Sequence, residues 1–454
     1  MIFKGWGTSL AWWANIKYPN DTKDRLSELL FSDKGLSLNI VRYNLGGGTN
    51  PLKPEVTMRM GGLMPCIKEG PNEKINLDND KLQLSILDDA VRLGVNHVEL
   101  FVNSPPWWMT SSGKTSGSNK SGTNNLRDDQ IDEYADFLIE SYNTLKNMYP
   151  ITSLAPFNEP SNPFWLSGGS QEGCFFSHTM INTVIKAIKT KEKETNSNDH
   201  PIKLSAADSF STGFALAWYM SSLSSLPFLS SDKNLINLID QINLHGYRVS
   251  WKGYSLYLDD LDISRKLFKY IVKKENKPLW ISEFGMGGPD TIENAFNLAL
   301  HIYRDLDTLN PEAWIYWQVV EQRDPNGWGL LHVDFDDPKE VIILKQYWIM
   351  MHFTKTLKEN DTYKFLNKNV IQVKNRKGKC AYIVIGKYDL TMYTKLHIQQ
   401  IRITDKNRNY HELDEMPTTL NENSIITFFV QTEVLILTRN YQRGMNVHSR
   451  FILI

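Results

Sequence analysis

Apolar residues along this chain gather into short runs, and a longer stretch with helical spacing follows most of them. The runs are FKGWGTSLAW (3–12), LSLNIVRYNL (36–45), HVELFVNS (97–104), SLAPFN (153–158), KLSAAD (203–208), QINLHGY (241–247), PLWISEFG (278–285) and AWIYWQV (313–319). Between them, DDQIDEYADFLIESYNTLKN (128–147), SHTMINTVIKAIKTKEK (177–193) and ISRKLFKYIVKKE (263–275) repeat apolar positions every three to four residues. Largely apolar strands alternating with amphipathic helices are the signature of parallel βα units. Eight such strands ending near residue 320 predict an α/β fold, a (β/α)8 TIM barrel. A doubly wound sheet is the structural rival. It would place a glycine-rich turn at a helix start, and the GGG at 46–48 runs on into TNPLKPE, which opens no helix.

Past residue 340 the pattern changes. VIQVKNRK, KCAYIVIGK, TKLHIQQIRIT, SIITFFVQ and EVLILTRN alternate with polar turns, and no long helical period interrupts them. This texture predicts a C-terminal antiparallel β-sandwich over 341–454 beside a barrel over 1–340, with the extreme N-terminus free to add to the sandwich. The segment SGKTSGSNKSGTNN (112–125) has the composition of a loop inside the barrel, not of a linker between domains.

Composition removes several functional classes. Fifty basic against fifty-one acidic residues leave no positive surplus to hold nucleic acid. No apolar run approaches the roughly 18 residues of a membrane span. Three widely spaced cysteines, Cys66, Cys174 and Cys380, form neither a disulfide framework nor a metal knuckle. The ten histidines are scattered, which argues against a metal-dependent hydrolase, so neither metal nor cofactor is expected. MIFKGWGTSL has no positively charged start leading into an apolar stretch. The expectation is a cytoplasmic protein if Met1 is the native start, and a secreted one with its signal removed otherwise.

A TIM barrel carries its site at the carboxyl ends of its strands, and the chemistry-bearing residues fall there. Glu159, in FNEP, ends the fourth run, and Glu283, in SEFG, ends the seventh. Two inward carboxylates across a barrel mouth suit a retaining glycosidase, which needs an acid/base and a nucleophile about 5–5.5 Å apart. A pair of salt-bridged rim charges is the plainer reading. Four neighbours favour the first. Arg42 ends the second run and is placed to hold a carboxylate ionised. Asn158 offers a donor to a sugar hydroxyl, and His245 and Tyr247 end the sixth run beside Glu283. With Arg42 and Tyr247 stabilising Glu283 as an anion, Glu159 is expected to be the carboxyl with the raised pKa.

Aromatic residues add a sugar-binding reading. The doublets Trp12-Trp13 and Trp107-Trp108 and the single Trp317 follow strands 1, 3 and 8, and indole faces suit the C–H faces of sugars. Side chains alternate on an extended segment, so at least one member of each doublet is expected to face the cleft. Trp6 and Trp218 read as core. Asn44, Asn103 and Thr8 are candidate partners for a substrate hydroxyl, with ordinary strand-end capping as the alternative. Arg323 is a candidate clamp for an acidic sugar, or the partner of Asp324 or Glu321.

Taken in order, GWGTSLAWWA (5–14), VRYNLGGG (41–48), ELFVNSPPWWM (99–109), PFNEP (156–160), HGY (245–247), WISEFG (280–285) and WIYWQVVE (314–321) resemble glycoside hydrolase family 30 of clan A. The likeness is strongest to its endo-β-1,6-galactanase branch, and the sandwich matches that family's second domain in kind. The resemblance implies retaining hydrolysis of an oligo- or polysaccharide, with Glu159 as acid/base and Glu283 as nucleophile. A β-1,6-glucan, a glucosyl lipid and a glucuronate-bearing xylan are the alternative substrates. A carbohydrate-binding protein on an inactive barrel is the non-enzymatic rival, and it would usually have lost one carboxylate.

Overall fold

A computed structural model describes residues 2–194, 201–223, 235–247, 263–394, 396 and 398–430. Eight parallel strands form one sheet: β1 (Gly5–Ser9), β2 (Ile40–Asn44), β3 (His97–Phe101), β4 (Ile151–Ala155), β5 (Ser205–Ser209), β6 (Gln241–His245), β7 (Leu279–Phe284) and β8 (Ala313–Tyr316). The neighbour order β4-β3-β2-β1-β8-β7-β6-β5 leaves β4 and β5 at its two ends. A parallel bridge between Leu154 and Leu204, with the Leu154 N–H donating to the Lys203 carbonyl at 2.9 Å, joins those ends into a barrel. Every residue of β1, β2, β5, β6, β7 and β8 is buried, as strands covered on both faces must be.

The helices α1 (Asn20–Phe31), α2 (Lys81–Arg92), α3 (Ile131–Lys146), α4 (His178–Glu194), α5 (Thr212–Trp218), α6 (Ile263–Lys274) and α7 (Ile292–Thr308) complete the βα alternation. Their apolar stripes face inward: Tyr134, Phe137, Leu138, Tyr142 and Leu145 of α3 are buried, whereas Asp132, Glu133 and Asp136 are not. The strands are shorter than the apolar runs that announced them. The first run extends to Trp12, yet the ladder stops at Ser9 and the chain turns into a 3₁₀ helix at Trp13–Asn15.

After β8 the short strands β9 (Val320–Gln322), β10 (Leu331–Val333) and β11 (Ile342–Ile343) form a three-stranded sheet. The chain divides into two compact units. One comprises Gly5–Pro289 and Ile302–Leu344; the other takes in the first four residues, Asp290–His301 and the chain from Lys345 onward. Within the second unit, the Phe3 N–H donates to the Asp361 carbonyl at 2.9 Å, and the Asn360 N–H donates to the Phe3 carbonyl at 2.7 Å. Its main sheet is antiparallel, with β12 (Thr362–Asn367), β13 (Val370–Lys374), β14 (Cys380–Ile385), β19 (Ile425–Val430), β16 (Ile398–Thr404) and β17 (His411–Glu412) in that order. The pair β15 (Tyr388–Asp389) and β18 (Thr419–Leu420) makes a second sheet. Tyr382, Val384, Ile401, Phe428, Tyr393 and Leu420 share one apolar core, which is the β-sandwich expected from the alternation. The run EVLILTRN lies outside the described residues.

The expectation that no helix follows residue 340 is overturned by α8 (Lys345–Thr356). Nine of its twelve residues are buried, so KQYWIMMHFTKT is covered nearly all round and shows no amphipathic period by which to recognise it. Among the described residues no helix is long and apolar enough to cross a membrane.

Candidate active site

The site forms where the strands end, and a buried arginine organises it. Arg42 on β2 is fully buried and pairs in register with Glu99 on β3. Its Nε donates to Glu99 Oε1 at 3.0 Å, and Nη2 to Asp208 Oδ1 at 2.9 Å. Nη1 reaches the Ser282 carbonyl at 3.2 Å and Glu283 Oε2 at 3.5 Å. One guanidinium thus serves three buried carboxylates, and its flat face lies 4.2 Å from the centre of the Phe101 ring. Glu99 is further satisfied by Ser153, Ser205, Gln241 and Asn243. Asp208 also accepts from Ser282 Oγ at 2.6 Å and Asn243 Nδ2 at 3.1 Å.

Glu159 lies four residues past the end of β4 in a left-handed conformation, φ 46°. Its N–H donates to the Asp208 carbonyl at 2.9 Å, and its carbonyl accepts from Trp165 Nε1 at 3.0 Å. The side chain accepts from Asn162 Nδ2 at 3.0 Å and lies 3.2 Å from His245 Nδ1. His245 pairs in register with Glu283 on β7, and its Nδ1 is 3.5 Å from Glu283 Oε1. The Tyr247 hydroxyl donates to that same oxygen at 3.0 Å. Glu159, His245 and Glu283 present donor atoms within 4.8 Å of one another. That spacing matches a retaining pair and leaves less room than the roughly 6.5–9.5 Å an inverting pair needs for its water.

The electrostatics follow from burial and neighbours. Burial alone would lower the His245 imidazole, but Glu283, Asp208 and Glu159 outweigh it and carry its pKa up to about 10. Its Nε2 faces Asp208 at 3.4 Å without hydrogen-bond geometry, so this pair acts through charge. Burial would raise Asp208, and Arg42 with His245 and Ser282 hold it below the usual carboxylate range instead. For Glu283, burial prevails: its carboxyl is pushed up to about 7, with the Glu159 charge adding and His245, Arg42 and Tyr247 opposing. The expectation that Arg42 and Tyr247 would keep Glu283 low is therefore corrected, because complete desolvation outweighs one arginine shared among three acids. Glu159, His245 and Glu283 are close enough to share a divalent ion, but a protonated imidazole offers no lone pair to one, and Arg42 already supplies positive charge.

Near the carboxyl ends of the first four strands lie buried polar atoms with no partner among the described residues: Trp12 Nε1, Asn44 Oδ1, Asn103 Nδ2 and Asn158 Oδ1. Such atoms are rare in folded interiors. Asn44 ends β2, and Trp12, Asn103 and Asn158 lie just past β1, β3 and β4, so all four sit where a polar ligand would meet the strand ends. Trp317 lies nearly buried with its ring 5.1 Å from Trp12 and edge-on to it. Arg59 covers the Trp12 ring at 4.4 Å.

Trp13, named with Trp12 as a sugar-binding candidate, does not serve as one. That side chain is fully buried and its Nε1 donates to the Ser9 carbonyl at 2.9 Å, so it is core. Both doublets sit at 3₁₀ turns, Trp13–Asn15 and Trp107–Met109, where the alternation of an extended strand does not apply. Trp107 is half-buried, and Trp108 is buried edge-on against it at 5.7 Å. Trp6 and Trp218 are buried as read. The Thr8 hydroxyl already donates to the Ser9 carbonyl. Arg323 pairs with neither predicted partner but with Glu340, at 3.3 Å on the exposed surface.

Several members of the site escaped sequence reasoning. Glu99 sits inside an apolar run, and an acid at a doubly covered strand position signals a buried partner. Asp208 closes the fifth run as Glu159 and Glu283 close theirs. Asn162, Glu172 and Trp328 lie on loops and gave no signal. Glu172 is fully buried, accepting from the Gly47 N–H at 2.9 Å and Asn44 Nδ2 at 3.4 Å, and burial pushes its pKa up to about 8.

The chain has counterparts among known proteins. The family model described as O-glycosyl hydrolase family 30 matches residues 2–215. Over that part of the chain, a little under half of it, the protein is similar to this family, and it is a glycoside hydrolase. It is 29% identical over 381 residues to an endo-β-1,6-galactanase of Hypocrea rufa, an alignment covering 79% of this chain and 72% of that protein. It is 24% identical over 436 residues to an exo-β-1,6-galactobiohydrolase of Bifidobacterium longum subsp. longum, of whose length the match covers 28% and of this chain 74%. In fold it resembles the catalytic domain of the family 30 xylanase C of Talaromyces cellulolyticus, with TM-score 0.66, 15% identity and coverage of 95% of this chain and 98% of that one.

Proposed function

We propose that this glycoside hydrolase cleaves β-1,6-linked galactan by double displacement, with Glu283 as nucleophile and Glu159 as acid/base. The two carboxylates beside His245, within 4.8 Å of one another, carry the mechanism. The relatives named for β-1,6-galactan cleavage support the substrate.

In the first step a Glu283 oxygen attacks the anomeric carbon while Glu159 gives its proton to the departing glycosidic oxygen. In the second, Glu159 takes a proton from water, whose oxygen displaces Glu283 from the sugar. Tyr247, whose hydroxyl is held well above its usual pKa by burial and the nearby carboxylates, stays a donor to Glu283 throughout. The charged His245, between the two acids, stabilises whichever is ionised at each stage.

The axial 4-hydroxyl that distinguishes galactose from glucose needs a buried polar partner. The unpartnered atoms of Asn44 and Asn103 are suited to that, and losing such a bond would cost about 1–3 kcal/mol. Comparing galactosyl and glucosyl β-1,6-disaccharides tests the substrate. Faster cleavage of the galactoside is expected; equal rates or a preference for glucose would end the galactan reading and leave the glycosidase reading standing. Glu283→Gln should abolish turnover on every substrate, and residual activity near wild type would remove it as nucleophile.

A further inference from the structure

Beyond the two glutamates lies an aromatic wall that the catalytic steps do not use. Phe210, half-buried just past β5, stacks on Tyr247 with ring centres 5.3 Å apart and planes 23° from parallel. Trp328, after β9 (Val320–Gln322), stands on the other side of Tyr247 at 6.1 Å and 55°. Tyr247 is half-buried and its hydroxyl is bonded to Glu283, whereas Trp328 keeps 41% of its surface open. An indole this exposed, one ring removed from the nucleophile, is left uncovered where apolar surface normally would be packed away.

The surrounding chain is built to seat it. A Cβ on Gly285 would come within 2.9 Å of the Trp328 ring, and one on Gly287 within 2.7 Å. Glycine at both positions lets the backbone leaving β7 lie directly against the indole. His332 Nε2 lies 2.9 Å from the Trp328 carbonyl, and the turn before it is closed by Asn326 N–H on Asp324 Oδ1 at 2.8 Å. The Gly288 N–H donates to the Asn326 carbonyl at 3.2 Å, tying that turn to the β7 exit. An exposed ring on a fixed backbone is pre-organised, which lowers the ordering cost of binding.

We propose that Trp328 is the platform of a second sugar subsite, stacking the pyranose that adjoins the unit bonded to Glu283 during the reaction. The galactosyl identity of that unit rests on the substrate reading above; the platform itself does not. Sugar C–H faces pack on indole as other apolar surfaces do, and the tilt between Trp328 and Tyr247 suits two sugars joined through a rotatable exocyclic carbon rather than a flat ribbon.

The test is calorimetric titration of the Glu283→Gln protein with β-1,6-galactotetraose, β-1,6-glucotetraose and galactose. Adding Trp328→Ala should weaken the preferred tetraose about tenfold, the order expected for one lost aromatic stack. Trp328→Phe should restore most of that, and galactose should bind alike in all three. Unchanged tetraose binding in Trp328→Ala would overturn the subsite, as would an equal loss for galactose, which marks general damage. If the glucan tetraose binds and the galactan one does not, the galactan reading fails while the same variants still judge the platform. Binding of neither by the parent protein overturns both.

Discussion

Opposite forces act on two of the buried histidines in this molecule. His245 in the barrel mouth lies among Glu159, Glu283 and Asp208, with Arg42 beyond, and its pKa is pushed up to about 10. His352 on α8 lies between two hydroxyls, with Nδ1 3.1 Å from Thr427 Oγ1 and Nε2 2.9 Å from Thr404 Oγ1. The Tyr410 ring packs on it at 4.8 Å, and burial, with the Arg402 charge adding, brings its pKa down to about 3. Burial penalises the charged form of both. The neighbours decide. In the sandwich a neutral ring with one donor and one acceptor is matched by two threonines, so polarity there specifies packing. In the mouth, charges are gathered that no core would choose, and the Arg42 network holds them.

The largest effect that would break this contrast is removal of the central cation. Arg42→Met leaves Glu99, Asp208 and Glu283 without their shared partner, and losing one side of a buried pair costs about 3–5 kcal/mol. Turnover should fall by about 10²–10³-fold with little change in KM, since the lost interaction matters most as charge develops. Steady-state kinetics and a thermal melt check both, and near-normal turnover would place Arg42 outside the chemistry.

Next in size is Asp208→Asn, which keeps the shape and removes the charge facing His245 Nε2. The His245 pKa should drop toward neutrality, because Glu159, Glu283 and the more distant Arg42 then set it alone. Imidazole NMR should show a new titration between pH 6 and 9, and kcat should fall about 10–100-fold. An unmoved resonance would show that Asp208 does not sustain the charge.

The sandwich histidine gives a smaller effect of defined sign. Its folded pKa lies below the unfolded value of about 6.5, so the stability it contributes is complete above pH 6.5 and is lost as pH falls toward 3. His352→Gln, which retains a donor and an acceptor, should flatten that loss in denaturant titrations run across the window. A slope equal to wild type would mean that another group governs acid unfolding.

Smallest is Glu172→Gln. A carboxyl raised to about 8 favours its neutral form in the folded protein, so stability falls as pH rises from about 4.5 through 8. The variant should melt with a shallower pH slope over that interval, and by a few degrees at most.

Much of the barrel was legible because parallel strands covered on both faces must be apolar, and residues that break such runs at their ends stand out. Arg42, Glu159, His245, Tyr247 and Glu283 were visible in this way, and the structure brings them together. What stayed hidden did so for physical reasons. Glu99 and Asp208 act through other residues, and an acid paired across strands looks local in sequence. The burial of α8 erased the periodicity by which helices are read, and the Trp13 reading failed because a 3₁₀ turn replaced the strand. Trp328 follows PNG, an ordinary turn signature, and only the glycines packed on its ring show why it is there.

The central claim is that two carboxylates this close work by double displacement. Proton NMR of the wild-type protein acting on β-1,6-galactotetraose, recorded in the first minutes before mutarotation, reads it directly. The account predicts that the newly formed reducing end appears first as the β-anomer and only later relaxes to the mixture. First appearance of the α-anomer would contradict it.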